Sequence, residues 1–305
     1  MDKNGKPVPS GLILLRKRPG LTSFDSLAAI KRALGTGKAG HTGTLDKFAE
    51  GLLLVLTGRA LKLSRWFTHC DKRYEGTIRF GAETDTLDPE GKVVAQAPQP
   101  SRGAVERALG LFRGKIEQAP PEYSAIHVGG ERASVLARRG RAPEMKKRPV
   151  EVYGLELASW DPPFAGISVH CSGGTYIRSL ARDVALEAGS RAFLSSLVRT
   201  GVAGFRLKDS VFEDDERAAA PAPVGRDVFR TLGLPCLETG EEGARKLVHG
   251  RPLYDAIGAS ALGSLDSACP GAEAAAVFCG DKLLAVVERA GESRQWKYGY
   301  VYARG

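Results

Sequence analysis

Short apolar runs separated by glycine- and proline-marked turns carry the first structural information in this chain. Residues 11–15 (Gly-Leu-Ile-Leu-Leu) predict a buried strand, closed by a loop at Pro19-Gly20. Thr22 or Ser23 is a suitable N-cap for a helix over 25–34, ended by the glycines at 35 and 37. Residues 51–56 are wholly apolar and too short for periodicity to separate strand from helix. Alternation over 73–81 predicts a strand, and the Asp88-Pro89-Glu90-Gly91 turn leads to a return strand over 92–95. A helix over 102–112 follows, with Ala104, Leu109 and Phe112 among its apolar positions. Residues 166–171 alternate again, enter a Gly173-Gly174 turn and lead into a helix over 176–188. Acidic, alanine and proline residues dominate 213–225, which reads as a linker and sets a domain boundary within 215–235. Beyond it, 275–278 and 283–287 read as strands of a small β-rich module, and no internal repeat is visible.

Composition changes this picture in four ways. At 305 residues, 43% apolar and 26% charged, the chain has the make-up of a soluble globular protein of two domains. No apolar run approaches the roughly 20 residues that span a bilayer, and residues 1–6 lack a secretion signal. The five cysteines are scattered without a Cys-x-x-Cys pair, which fits free thiols and a cytoplasmic location better than disulfides or zinc. The net charge of +9 is uneven: residues 1–230 carry +10 and residues 231–305 carry −1. That asymmetry points to a polyanionic partner for the larger part, nucleic acid being the usual one.

Candidate chemistry centres on Gly40-His41-Thr42-Gly43-Thr44-Leu45-Asp46, a glycine-punctuated turn ending in one carboxylate beside the apolar run 51–56. A carboxylate beside such a run needs a partner or a task, because burying it alone is very unfavourable. The stretch 118–150 opens with Pro120-Pro121 and holds Arg132, Arg138, Arg139, Arg141, Lys146 and Lys147, a solvated loop or an arm that closes on phosphates. There is no Gly-x-Ser-x-Gly elbow, no Walker-type loop and no His-Glu-x-x-His pair. His170 and Cys171, being neighbours on a strand, point to opposite faces and make a poor metal or catalytic pair.

The segment 40–46, with Ala49, Gly51, Leu52, Leu53 and the later Gly58-Arg59-Ala60-Leu61-Lys62-Leu63, resembles the motif around the catalytic aspartate of TruB-type tRNA pseudouridine synthases. Asp71-Lys72-Arg73-Tyr74 and Gly81-Ala82-Glu83-Thr84-Asp85-Thr86-Leu87-Asp88 resemble that family's second motif, and residues 171–183 (Cys-Ser-Gly-Gly-Thr-Tyr-Ile-Arg-Ser-Leu-Ala-Arg-Asp) its third. Residues 120–125 and 148–153 resemble its middle, so the likeness is collinear from about 11 to 212. Four places depart from the usual pattern. Arg16-Lys17-Arg18 stands for Asp-Lys-Pro, Lys47-Phe48-Ala49 for Pro-Leu-Ala, His127 for a lysine and Ser134 for a tyrosine.

The resemblance implies an α+β pseudouridine synthase fold: a mixed sheet with flanking helices around a cleft, over residues 1–228, with a thumb-like insertion at about 120–150. Lys246-Leu247-Val248-His249-Gly250-Arg251-Pro252-Leu253 and the strands after it resemble a short PUA-like RNA-binding domain, 229–305. It implies isomerisation of uridine 55 in the tRNA T-stem-loop, without cofactor, metal or obligatory protein partner, and with the base extruded into a pocket. Asp46 would act at the sugar, Arg178 would hold it ionised, and Tyr74 would stack on the base and assist proton removal from C5. His41 would fill the space of the flipped uridine, Tyr176 and Leu197 would line the base pocket, and the thumb cations would meet phosphates. A guide-RNA-dependent synthase of the dyskerin type and a tRNA-binding or folding protein are the alternatives.

Overall fold

The computed structural model describes residues 8–141, 143–291 and 293–302; residues 1–6, read above for a signal segment, lie outside them. Seven strands form the spine: β1 (Gly11–Lys17), β2 (Glu50–Thr57), β3 (Lys72–Phe80), β4 (Gly114–Gln118), β5 (Arg148–Asp161), β6 (Phe164–Cys171) and β7 (Ala192–Val202). Their order is β1-β2-β7-β3-β6-β5-β4, and the short strands Ala39–His41 and Phe205–Arg206 complete a nine-stranded sheet. Neighbours along the path run antiparallel except β2 and β7, which run parallel, so the sheet is mixed. The run 51–56, undecided by period, is a strand, and its wholly apolar make-up fits burial on both faces, Leu52, Leu54 and Leu56 in one core cluster and Leu53 and Val55 in another.

Alternation on β3 sorts its residues cleanly. Lys72, Tyr74, Gly76, Ile78 and Phe80 point inward, and Arg73, Glu75 and Arg79 face solvent. The inward set packs beneath α2 (Arg102–Leu111) and α3 (Ile177–Glu187), with Ile167, Val169 and Leu194 from the flanking strands. On the other half of the sheet, α1 (Ser23–Ala33) covers Ile13, Leu15, Leu53 and Val55. Thr22 is its N-cap, in a reciprocal capping box with Asp25.

The C-terminal part carries the sheet β8-β9-β10-β11 (Cys236–Glu238, Ala274–Cys279, Lys282–Ala290, Gln295–Val301). Three helices add to the expected strands: α4 (Glu241–Val248), α5 (Leu253–Ile257) and α6 (Ala259–Ala268). On β9, Ala275 and Val277 meet these helices, and Ala274, Ala276 and Phe278 meet Leu12, Leu54, Leu63 and Phe67 of the first part. Residues 213–225 do not run free: Leu12 and Ala222 exchange backbone hydrogen bonds of 2.8 and 2.9 Å, and Ala218 and Val224 are buried. The expected 228/229 boundary falls within the helix Arg226–Thr231. Among the described residues, no helix is long and apolar enough to cross a membrane.

At the parallel seam, Gly51 pairs with Arg199 and has φ +116°, and a Cβ there would overlap the Arg199 backbone. Gly51→Ala therefore combines a left-handed backbone with a clash. The expected outcome is a loss of about 2 kcal/mol or more in urea unfolding, and an unchanged midpoint would show that the seam relaxes freely.

Candidate active site

Asp46 sits in the loop that joins the strand Ala39–His41 to β2. Gly43 in this loop has φ +104°, a conformation that suits glycine. Ser23 at the start of α1 anchors the loop twice, its hydroxyl accepting from Leu45 N (2.9 Å) and donating to Leu45 O (3.1 Å). Two buried cations hold the loop's carbonyls. Lys17 Nζ donates to Ala49 O at 2.5 Å and to Lys47 O at 3.3 Å. Arg199 donates from Nη2 to Gly43 O at 3.0 Å and from Nε to Leu52 O at 2.7 Å. The carboxylate is thereby set on backbone that is fixed from both sides.

Arg178, in the first turn of α3, brings the rest of the site to that carboxylate. Its Nη2 donates to Asp46 Oδ1 at 2.9 Å, and its Nε lies 2.8 Å from Oδ2 but off the line of a hydrogen bond. The same guanidinium donates to Thr86 O (2.6 Å) and Tyr123 O (3.1 Å) and stands 3.3 Å from Asp88 Oδ2. Only 4% of the Arg178 side chain is exposed, against 36% for Asp46, so the carboxylate faces the opening and the arginine is its buried backing. Asp88 is fixed by Thr86 Oγ1 (2.5 Å) and Glu90 N (3.0 Å), and burial raises its pKa against the opposing pull of Thr86 and Arg178.

Asp46, Arg178, Tyr74, Tyr176 and Leu197 line one pocket of about 430 Å3, and Arg132 and Arg138 of the basic stretch reach its rim. Tyr176 is set by a reciprocal clamp, Gln118 Oε1 accepting from Tyr176 N (2.8 Å) and Gln118 Nε2 donating to Tyr176 O (3.1 Å). Burial raises the Tyr74 phenol above its ordinary pKa, which keeps it a neutral hydroxyl; the nearby Arg199 pulls the other way. The remaining expected residues stand elsewhere. His41 is half-buried on its strand opposite Val55 and outside the pocket lining; burial, Arg199 and Lys31 lower its pKa, favouring the neutral imidazole. Arg139 pairs with Glu131 at 2.8 Å, and Arg141, Lys146 and Lys147 are exposed away from the pocket.

Sequence reasoning missed Asp88, Lys17, Lys72 and Arg199 as parts of the site. Asp88 lies in a motif quoted above, and its spacing from Thr86 was the available signal. Lys72 was visible as the inward-facing neighbour of Tyr74 two positions along β3, since strand residues of equal parity share a face. Lys17 and Arg199 share strand parity with Leu15 and Leu197 in the same way, but most of the carbonyls that hold them come from distant segments. Among the described residues, no group of three or more His, Cys, Asp or Glu could hold a metal ion.

The description "TruB family pseudouridylate synthase (N terminal domain)" belongs to the family model that matches residues 31–177. The tRNA pseudouridine synthase B of Geobacillus kaustophilus is 39% identical over 260 residues, 80% of this chain and 90% of that protein. That of Borreliella burgdorferi is 46% identical over 204 residues, 66% of this chain and 72% of the relative. The chain belongs to the TruB family. It is a pseudouridine synthase. A solved archaeal box H/ACA Nop10-Cbf5 complex shares the fold, with TM-score 0.67 at 20% identity, covering 99% of this chain and 90% of that one.

In this TruB-family chain, burial chiefly, and then Arg199, lower Lys72 from 10.5 to about 8. Between those two values the unfolded chain holds a proton that the folded chain has released, so wild-type stability rises with pH across the window. Lys72→Met removes the buried charge and with it this rise. The stability of Lys72→Met relative to wild type, whatever its sign, is expected to fall between pH 8 and pH 10, by up to about 3 kcal/mol in urea unfolding. A gap independent of pH would mean that Lys72 titrates like an exposed lysine.

Proposed function

We propose that this chain isomerises uridine 55 in the T-loop of tRNAs, acting alone and in the cytoplasm. The observation that carries the reading is the half-exposed Asp46 carboxylate, held by a buried arginine at the wall of an aromatic-lined pocket. The curated relatives named tRNA pseudouridine synthase B support tRNA as the substrate class. Isomerisation breaks the N1–C1′ bond, turns the uracil and joins C5 to C1′; the C5 proton is lost and N1 gains one. The ring keeps all its atoms, so the reaction as written requires no cofactor.

Asp46 acts at the sugar, either by attack on C1′ or by removal of a 2′ proton, and Arg178 keeps it aimed. Tyr74 offers its ring to the flipped base, with Tyr176 and Leu197 as further walls. Its neutral phenol must first give up its own proton, N1 being the site that gains one, before it can take the C5 proton, and the adjacent Arg199 charge supports the phenolate in between. His41, outside the pocket itself, takes the place left in the T-loop by the extruded nucleotide. Arg132 and Arg138 meet phosphates at the rim, while Arg139, Arg141, Lys146 and Lys147 add outer contacts as the thumb closes. Residues 1–228 form the catalytic domain and 229–305 a PUA-like domain in this reading.

The test is carbodiimide mapping of pseudouridine on an unmodified tRNA transcript incubated with protein and no guide RNA. Wild type is expected to give a stop at uridine 55. Asp46→Asn is expected to lose on the order of 1,000-fold or more in single-turnover rate with tRNA affinity within about threefold. Bound tRNA without any stop would instead indicate a partner-dependent enzyme or a binding protein.

A further inference from the structure

The pocket has a second charged pole, of which the assigned roles use only Arg199, in support of Tyr74. Lys72 and Arg199 both line it, and they are 6% and 1% exposed. They converge on one glycine: a Cβ built on Gly43 would stand 3.8 Å from Lys72 Cε and 3.7 Å from Arg199 Nη1. Lys72 Nζ donates to Thr68 O (2.9 Å) and Cys70 O (2.6 Å), which leaves one N–H of three. Arg199 places Nε and Nη2 on Leu52 O and Gly43 O, and Nη1 is only 3.5 Å from Thr44 O.

Carbonyls satisfy hydrogen-bond geometry but supply no counter-charge. Among the described residues, neither cation has a carboxylate within ion-pair distance. Asp46 and Asp88 are engaged with Arg178, and Asp71 is held by His170 at 2.6 Å. Burial keeps Cys171 a neutral thiol, with its pKa pushed up to about 11, and raises Cys70 as well. Two buried like charges side by side are unfavourable until an anion joins them.

We propose that Lys72 and Arg199 form an anion-holding subsite in the pocket wall, which takes an anionic oxygen of the substrate. Its source is either a phosphate flanking the target nucleotide or the uracil ring after heterolysis, when the N1–C1′ electron pair is delocalised onto O2 and O4. The subsite rests on the reading that a uridine enters this pocket. Gly43 fits it, because a side chain there would begin in contact with both cations and take up space beside them.

The experiment uses a T-stem-loop RNA, intact or with a methylphosphonate at either phosphate flanking the target uridine, with wild type, Lys72→Met and Lys72→Arg. Affinity and single-turnover rate are measured for each pair. A phosphate ligand predicts that Lys72→Met binds about tenfold more weakly, that one methylphosphonate weakens wild type equally, and that the two losses do not add. A uracil ligand predicts unchanged affinity and a rate about tenfold lower, partly restored when the target is 5-fluorouridine, whose anion leaves more readily. In both cases Lys72→Arg retains most of the function. Affinity and rate of Lys72→Met both within about twofold of wild type would overturn the subsite. Lys72→Gln, which keeps donors for the two carbonyls, replaces Lys72→Met if the latter does not fold. Wild type on the intact RNA separates the outcomes: no pseudouridine there defeats the proposed function itself, whereas normal conversion with indifferent Lys72 variants defeats only the subsite.

Discussion

The guanidinium of Arg178 is the point at which distant parts of the chain are forced into register. A buried arginine must have its charge answered and its donors occupied, and this one draws on four separate stretches. Asp46 comes from the loop before β2, Thr86 and Asp88 from the turn after β3, Tyr123 from the segment after β4, and Arg178 itself from α3. Misplacing any one leaves a charge or a donor without a partner in the interior. The sheet supplies the frame for this: β7 runs between β2 and β3, so the loop with Asp46 and the strand with Tyr74 lie on either side of Arg199. Folding the sheet correctly and assembling the pocket are therefore one requirement.

Much of this was legible in the residues. The alternation Lys-Arg-Tyr-Glu-Gly-Thr-Ile-Arg-Phe told which face of β3 is buried, and Thr22 announced α1. The three motifs held Asp46, Tyr74 and Arg178, and the structure brings them to one pocket. Other features were hidden for identifiable reasons. Residues 213–225 have a linker's composition, yet their backbone pairs with the edge strand β1, and backbone pairing leaves no mark on composition. Lys17 and Arg199 look like surface charges in a basic chain. Their burial draws on distant carbonyls, Ala49 O more than thirty residues from Lys17 and Leu52 O more than one hundred from Arg199, which no local window can see. Of the helices of the C-terminal part, α5 is only five residues long and α6 is rich in small residues, so neither shows a clear apolar period.

The departures from the usual family pattern show how this chain replaces rigid residues with charges. Lys47, where the family places a proline, pairs with Glu90 at 3.2 Å and so links the Asp46 loop to the Asp88 loop. Arg18, at another usual proline, stacks over Phe212 at 4.2 Å and pairs with Glu213 and Asp214, drawing 212–214 onto the end of β1. Both ties are on the surface, where an ion pair contributes at most about 1 kcal/mol. Their effect is to orient loops whose stability comes from elsewhere.

The C-terminal part bears on the pocket through one short helix. Arg59 donates to Tyr302 O, Arg65 pairs with Glu288 at 2.8 Å, and Gly299 lies against Trp66. Arg65 and Trp66 belong to the helix Ser64–Thr68, whose last residue offers its carbonyl to Lys72 in the pocket wall. Phe67 of the same helix is buried with Phe278 and Val286 of the C-terminal sheet. A module with a net charge of −1 over residues 231–305 offers RNA no excess of cations, and an apolar face against this helix needs no charge at all. The geometry thus gives the C-terminal part a mechanical connection to Lys72 that would persist even without any contact between it and RNA.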